Sequence, residues 1–171
     1  MHMHQQNSWG TIINRTYENG MAYDYLDKPH VLFWSTWLGY KIFGVSDYGY
    51  RLVSILMSLL AAMATYKIGA MLYNKRVGNI AALMLMSAQA IILANHDVRT
   101  DSLLTSFVVL SVWQLVCFIQ FNRWQHLIWA GAFLSAGVGT KGMIAVMVVG
   151  CVLFFFLLAK KDWQHLLSWK W

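Results

Sequence analysis

The sequence is poor in proline, in charge and in cysteine, and each shortage excludes a class of protein. One proline in 171 residues and no polar linker leave no boundary for a second domain, so we predict one domain. Charged residues make up 12% and hydrophobic residues 58%, which is more apolar than a soluble domain requires. Cys117 and Cys151 lie in apolar segments without metal-ligand spacing, and we interpret both as small buried apolar residues. A polytopic membrane protein is therefore predicted.

The formal net charge of +6 does not indicate a nucleic-acid partner. The thirteen Lys and Arg residues are scattered between apolar segments and do not gather on one soluble face. The ten methionines lie mostly within apolar segments without His or Cys at ligand spacing, so we interpret them as packing residues.

Apolar segments long enough to cross a membrane dominate the chain, since a spanning helix needs roughly 20 residues. We predict spans at 52–73, 77–94, 103–121, 127–139 and 143–159, the fourth being short unless it extends to Trp124. Segment 31–45 is shorter, contains Lys41 among aromatics, and predicts an amphipathic helix lying in the interface. The predicted fold class is all-α, a polytopic membrane helix bundle of about five transmembrane helices plus this interfacial helix.

The loops between spans are of two kinds that alternate along the chain. One kind is basic and otherwise plain, at 74–76, 122–123 and 160–161, and the other carries motifs, at 27–29, 96–101 and 140–142. Since cytoplasmic loops are enriched in Lys and Arg, we predict that the basic loops lie inside and the motif loops face the periplasm or exterior. The expected location is the plasma (inner) membrane, as a multi-pass protein with one chemical face.

The first motif is Asp27-Lys28-Pro29, in which a carboxylate and an ammonium are adjacent and proline fixes the backbone. Such a pair suits a phosphate-plus-metal site, because Lys28 can neutralise a phosphate leaving group while Asp27 holds a divalent ion or orients a nucleophile. An exposed turn with a solvated ion pair is the alternative.

The second motif concentrates four ionisable groups between two spans: His96, Asp97, Arg99 and Asp101. Charges at this depth are costly unless they are partnered or functional. If the stretch is helical, Asp97 and Asp101 share a face and can present oxygens to one divalent ion, while the Arg99 fork suits a phosphate or one of the carboxylates. A pair between Arg99 and either aspartate that merely pins the loop is equally open. Lys141, in the third motif, adds a cation on the same side.

Small residues recur at helical spacing in two segments, and we predict that both stripes reflect close helix packing. The stripes are Ser54, Ser58 and Ala62, and Gly131, Ser135 and Gly139.

Three groups of residues resemble, in the same order, motifs of the GT-C integral membrane glycosyltransferases, in the branch related to protein O-mannosyltransferases and lipid A aminoarabinose transferases. The groups are Tyr25-Leu26-Asp27-Lys28-Pro29 with Phe33-Trp34, Phe43-Gly44-Val45 and Arg51-Leu52, then Arg99 with Asp101-Ser102-Leu103-Leu104, then Gly139-Thr140-Lys141-Gly142. The resemblance implies transfer of a sugar from a polyprenyl-phosphate donor, which enters from the bilayer, to a lipid or protein acceptor on the outer face of the membrane.

Carried over to this sequence, the resemblance implies that Lys28 and Arg99 bind the donor phosphate and that Tyr25 lines the donor site. Asp27, Asp97 and Asp101 become metal or polar ligands, a divalent metal being the implied cofactor. His96 and Lys141 support the site.

Three departures from the family pattern change the expectation. The family usually opens with a spanning helix and an acidic motif that supplies the catalytic aspartate, and complete members continue beyond the sixth helix. His30 also replaces a frequent second proline. We therefore predict that 7–159 is a partial transferase module, inactive alone, that 160–171 is a cytoplasmic basic tail, and that 1–6 is a tag or a start artefact. The alternatives are a small polytopic transporter or accessory membrane subunit, and a nonfunctional relic of a transferase.

Overall fold

The computed structural model describes residues 13–18, 21–24, 31–44, 47–96 and 100–160. In this part of the chain a two-stranded antiparallel hairpin precedes seven helices. The strands are β1 (Ile13–Glu18) and β2 (Met21–Asp24), and the helices are α1 (Val31–Phe43), α2 (Asp47–Leu72), α3 (Lys75–Ser87), α4 (Gln89–His96), α5 (Thr100–Phe121), α6 (Trp124–Lys141) and α7 (Ile144–Lys160). The helix bundle confirms the predicted fold class, and the hairpin is an element that we did not predict.

Four predicted spans appear as single helices, but the span predicted at 77–94 is interrupted. Helix α3 ends at Ser87, Ala88 has an extended backbone with φ −63° and ψ 121°, and α4 begins at Gln89. The Ser87 hydroxyl donates to the Met84 carbonyl at 3.2 Å, and the Ala88 N–H donates to the Leu85 carbonyl at 3.3 Å. These local hydrogen bonds replace the regular backbone hydrogen bonds of a helix near Ser87 and Gln89, the polar residues of an otherwise apolar segment.

Helix α5 is the centre of the bundle and contacts α2, α4, α6 and α7. Half of its apolar stretch is buried, 50% against 22% for that of α2. Ser54 and Ser58 of α2 are buried as well and Ala62 is half-buried, so the predicted packing of this stripe is confirmed for its two serines. Ser54 contacts Ser102 of α5, and small side chains of this kind permit close helix packing.

The outer surface of the bundle is apolar, with exposed Leu, Ile, Met and Phe side chains on every helix from α2 to α7. Two described helices are long and apolar enough to cross a membrane, Arg51–Leu72 and Thr100–Phe121, and Ile144–Phe156 is a shorter apolar stretch. A surface of this kind suits lipid as its solvent. Cys117 is buried as predicted, whereas Cys151 lies on the exposed side of α7, so its predicted burial is wrong.

The stripe of small residues on α6 is also placed differently from the prediction. Gly131 and Ser135 are exposed, and a Cβ at Gly131 would meet nothing within 4 Å. The buried side of α6 instead carries Ala130 and Gly137, because α6 is rotated to face α5 and α7 with those residues. Gly139 alone of the stripe makes a close contact.

The helices run alternately, so the bundle has two distinct ends. Two-residue connections turn α2 into α3, α5 into α6 and α6 into α7, which makes these pairs antiparallel. We call the end that carries the starts of α1, α2 and α5 and the end of α6 the motif end. The opposite end, which carries residues 72–76 and 121–124, is the basic end.

At the basic end, α2 and α3 meet backbone to backbone. A Cβ at Gly69 would lie 2.7 Å from Gly78 Cα, and a Cβ at Gly78 would lie 2.6 Å from the Tyr66 carbonyl oxygen. The connection is closed by Asn74, whose side-chain oxygen accepts a hydrogen bond from the Val77 N–H at 2.9 Å. This end is therefore a tightly packed helical hairpin with an ordinary N-cap.

Candidate active site

The motif end is joined by an ion pair between Asp101 and Lys141. Asp101 lies in the first turn of α5 and Lys141 in the last turn of α6, where the helix dipoles favour a negative and a positive charge respectively. The pair is partly open, since the Lys141 side chain is 38% exposed and that of Asp101 50%. It brings the second and third motifs of the sequence into direct contact.

The backbone at the end of α6 places Lys141 at the surface of the motif end. Gly142 has φ +71°, a conformation that favours glycine, and its N–H donates to the Val138 carbonyl at 2.7 Å. Thr140, fully buried, turns its hydroxyl to the Gly137 carbonyl at 2.6 Å. The lysine that follows Thr140 is then left at the surface beside the start of α5.

Beneath the ion pair, a hydroxyl contact joins α5 to α2. The Ser54 and Ser102 side-chain oxygens are 2.6 Å apart and buried, and the Ser106 hydroxyl donates to the Ser102 carbonyl at 2.7 Å. Ser102 follows Asp101 directly. The first turn of α5 therefore contacts α2 through Ser102 and α6 through Asp101. Asp101 is positioned by the bundle and not by a loop.

The start of α1 completes this end of the bundle. A Cβ at Gly139 would lie 2.7 Å from Val31 Cγ2, so the first residue of α1 sits directly against the last turns of α6. Only glycine leaves room for this contact. Val31 comes two residues after Pro29 of the first motif. The start of α1 is thus packed beside the third motif.

Arg51 lies at the same end, in the second turn of α2, and it was not singled out by its chemistry in the sequence. Its side chain is partly buried, and its Nε is shielded from solvent without a hydrogen-bond partner in the part of the chain that the structure describes. An arginine at the start of an apolar span was the available signal.

The structure describes the side chains of some predicted site residues and not those of others. Asp101 and Lys141 are brought together, as a carboxylate and a supporting cation on one face. The backbone of His96 ends α4, and its side chain lies outside the description. The remaining predicted residues also lie outside the described residues: Tyr25, Asp27, Lys28, Asp97 and Arg99.

The expected divalent metal gains no support from the described residues. They contain no group of three His, Cys, Asp or Glu side chains placed to share an ion. Asp101, the one predicted ligand among them, already accepts a charge-assisted bond from Lys141. In this arrangement Asp101 serves to fix a cation and not to collect another.

The chain is similar to known proteins in sequence and in fold. The family model described as dolichyl-phosphate-mannose-protein mannosyltransferase matches residues 27–171. An uncharacterized protein of Aquifex aeolicus is 28% identical over 138 residues, which are 79% of this chain and 27% of that protein. An undecaprenyl phosphate-alpha-4-amino-4-deoxy-L-arabinose arabinosyl transferase of Pseudomonas aeruginosa is 25% identical over 151 residues, which are 85% of this chain and 27% of that protein.

The fold is also that of a solved protein. The crystal structure of ArnT from Cupriavidus metallidurans in the apo state matches with a TM-score of 0.77 at 23% identity, covering 94% of this chain and 30% of that chain. This likeness confirms the predicted polytopic membrane helix bundle. The chain spans 27% of the length of the two curated relatives.

Proposed function

Because the chain belongs to the dolichyl-phosphate-mannose-protein mannosyltransferase family, we propose that it forms the donor-phosphate part of an enzyme of lipid-linked sugar transfer. The sugar passes from a polyprenyl-phosphate carrier in the bilayer to an acceptor on the outer face of the membrane. The observation that carries the proposal is the convergence at the motif end, where Asp101 pairs with Lys141 and Val31 packs on Gly139.

Chain connectivity supports the same grouping. Three residues span at most about 10 Å, so Lys28 lies within that distance of Val31, which touches α6. Arg99 is two residues from Asp101 and so lies within about 7 Å of it. These short separations support the proposal that both phosphate-binding cations belong to the motif end.

In the proposed reaction, an acceptor oxygen forms a bond to the anomeric carbon while the bond from that carbon to the phosphate oxygen breaks. Lys28 and Arg99 bind the phosphate and stabilise the charge on the departing polyprenyl phosphate, and Tyr25 lines the donor site. A carboxylate takes the acceptor proton. In this account, Lys141 adds positive potential at the rim of the site and Asp101 fixes its position. Asp27 and Asp97 are polar ligands beside the phosphate.

The proposed orientation follows from the charges at the two ends. The basic end carries Lys75, Arg76 and Arg123, and the rule that positive loops remain inside favours placing this end in the cytoplasm. The motif end then faces the periplasm or exterior of the inner membrane, where the lipid carrier presents its sugar.

One observation favours the alternative of a transporter, namely the interruption at Ala88, because transporters bind ions at discontinuous helices. Such sites collect ionisable residues near the break. Residues 83–93 contain none, and the polar neighbours Ser87 and Gln89 are neutral and exposed. The charges of the described bundle lie at its ends, which favours the transferase.

The proposal is tested by lipid binding, which the chain can show without completing a reaction. The purified chain in nanodiscs is titrated with undecaprenyl phosphate and with undecaprenol, and the bound lipid is counted by native mass spectrometry. We expect a preference for the phosphate. Lys28→Ala should reduce that preference about tenfold or more, because a charge-assisted bond to phosphate contributes about 1.5–3 kcal/mol.

The matched control is Lys67→Ala, which removes an exposed lysine from the half of α2 nearer the basic end. It should leave the preference unchanged. Equal binding of the two lipids by the unaltered chain, or an equal loss in both variants, would contradict the proposal.

A further inference from the structure

Arg51 carries a positive charge that the described bundle does not neutralise. Among the side chains described at the motif end, the carboxylate is that of Asp101, and Lys141 is its ionic partner. Arg51 Nε has no hydrogen-bond partner within the described ranges, although it is shielded from solvent. A shielded donor without a partner is costly, and the Nε atom belongs to a charged guanidinium, so we infer that the remainder of this group binds an anion.

The direction of Arg51 follows from the helix on which it lies. Positions 51, 54 and 58 are separated by three and four residues and therefore share one face of α2. Ser54 and Ser58 on that face are buried, and Ser54 touches Ser102 at the start of α5. Arg51 is thus on the α5 side of α2, one turn closer to the motif end. Long side chains on a helix lean toward its N-terminus, which here is the motif end.

Among the side chains that the structure describes in this cluster, Arg51 is a cation without a counter-charge. Asp101 and Lys141 neutralise each other, and Arg51 adds a cation one helical turn beyond the contact between Ser54 and Ser102. A guanidinium is a planar fork of donors that matches two oxygens of a phosphate. We therefore expect the partner of Arg51 to be a phosphate at the edge of the bilayer.

We propose that Arg51 binds the phosphate of the polyprenyl-phosphate donor, as an additional anion-binding residue supplied by the α2 helix. This inference rests on the proposed function, and it names a residue in the transmembrane bundle itself. In the proposed function, Lys28 and Arg99 of the motif loops bind the same phosphate. Arg51 binds it from the bundle and so fixes how deep the headgroup sits.

The test compares Arg51→Gln with Arg51→Lys in nanodiscs, using undecaprenyl phosphate and undecaprenol as the two probes. We expect Arg51→Gln to lower the preference for the phosphate about tenfold and to leave undecaprenol binding unchanged. Arg51→Lys should fall between, because it keeps the charge and loses the fork. Arg123→Gln removes an exposed arginine at the basic end and should change nothing.

A purely structural role for Arg51 predicts different results. In that case Arg51→Gln would lower the melting temperature and the binding of both lipids together. Asp47 is four residues before Arg51 on α2, a spacing suited to a helical ion pair, so Asp47→Asn would then reproduce the effect of Arg51→Gln. Either result would overturn the inference.

The outcomes also separate this inference from the function on which it rests. Suppose that the unaltered chain prefers undecaprenyl phosphate, that Lys28→Ala loses this preference and that Arg51→Gln keeps it. The proposed function is then supported, and the role of Arg51 is refuted. A chain that never prefers the phosphate refutes both.

Discussion

The two ends of the bundle hold their helices together by different chemistry. At the basic end, α2 and α3 meet through Gly69 and Gly78, where backbones touch and no side chain intervenes. At the motif end, an ion pair joins α5 to α6 and a pair of hydroxyls joins α2 to α5. The first end is stabilised by close packing, whereas the second presents charged side chains at the edge of an apolar bundle.

This difference separates what the fold needs from what the chemistry needs. Helices in lipid associate through small residues and dispersion contacts, so the basic end shows that the bundle can be joined without ionised groups. Charged groups near the hydrocarbon are costly unless they are paired or used. The ion pair and the arginine at the motif end are the basis of the proposed binding site, and changes at the two ends should have separable effects.

The largest effect on stability is expected from Gly78→Val at the basic end. Its Cβ would lie 2.6 Å from the Tyr66 carbonyl oxygen, and backbone cannot yield there without separating α2 from α3. We expect the free energy of unfolding to fall by about 3 kcal/mol, measured by denaturant titration in detergent. The folded fraction should keep its preference for undecaprenyl phosphate.

Gly150→Val on α7 is the matched control, because a Cβ at Gly150 meets nothing within 4 Å. An equal loss of stability in both variants would show that the α2–α3 contact is not special. Loss of lipid preference in folded Gly78→Val would show that the two ends are not separable.

A smaller effect is expected from Asn74→Ala, which removes the N-cap of α3. The Val77 N–H then loses its acceptor, and we expect a loss of about 1 kcal/mol in the free energy of unfolding. Asn79→Ala, at an exposed position within the same helix, should cost nothing. If the two variants were equally stable, the cap would not contribute to the basic end.

The smallest effect is expected at the motif end, from the ion pair. A double-mutant cycle of Asp101→Asn and Lys141→Gln should give a coupling of about 0.5 kcal/mol, since both side chains are well exposed. The coupling should decrease as salt rises. A coupling of several kcal/mol that ignores salt would mean that this pair stabilises the fold, against the comparison drawn here.

Much of the fold could be predicted because membrane helices require long apolar runs. The segments at 52–73 and 103–121 became α2 and α5, and the short fourth segment extended to Trp124 as its apolar flank allowed. The interruption at Ala88 was missed because two neutral polar residues barely lower the hydropathy of their segment. The β1–β2 hairpin was missed although Asn19-Gly20, a pair favoured in two-residue hairpin loops, separates its strands in the sequence.

The site was harder to predict because its contacts join residues distant in sequence. Nothing local indicates that Lys141 meets Asp101, forty positions earlier, since that depends on how α5 and α6 are rotated against each other. The sequence left open a pair between Arg99 and either Asp97 or Asp101, which stays a prediction. The burial of Arg51 Nε likewise depends on the α2–α5 interface and has no signature in the chain alone.

The most direct test of the central claim is to find where the lipid phosphate binds. An undecaprenyl phosphate analogue with a diazirine beside the phosphate is photolysed with the chain in nanodiscs, and adducts are mapped by mass spectrometry. The account predicts adducts within 25–31, 51–54, 99–102 and 139–142 that unlabelled undecaprenyl phosphate competes away. Adducts that centre on 73–76 and 122–124 would contradict it.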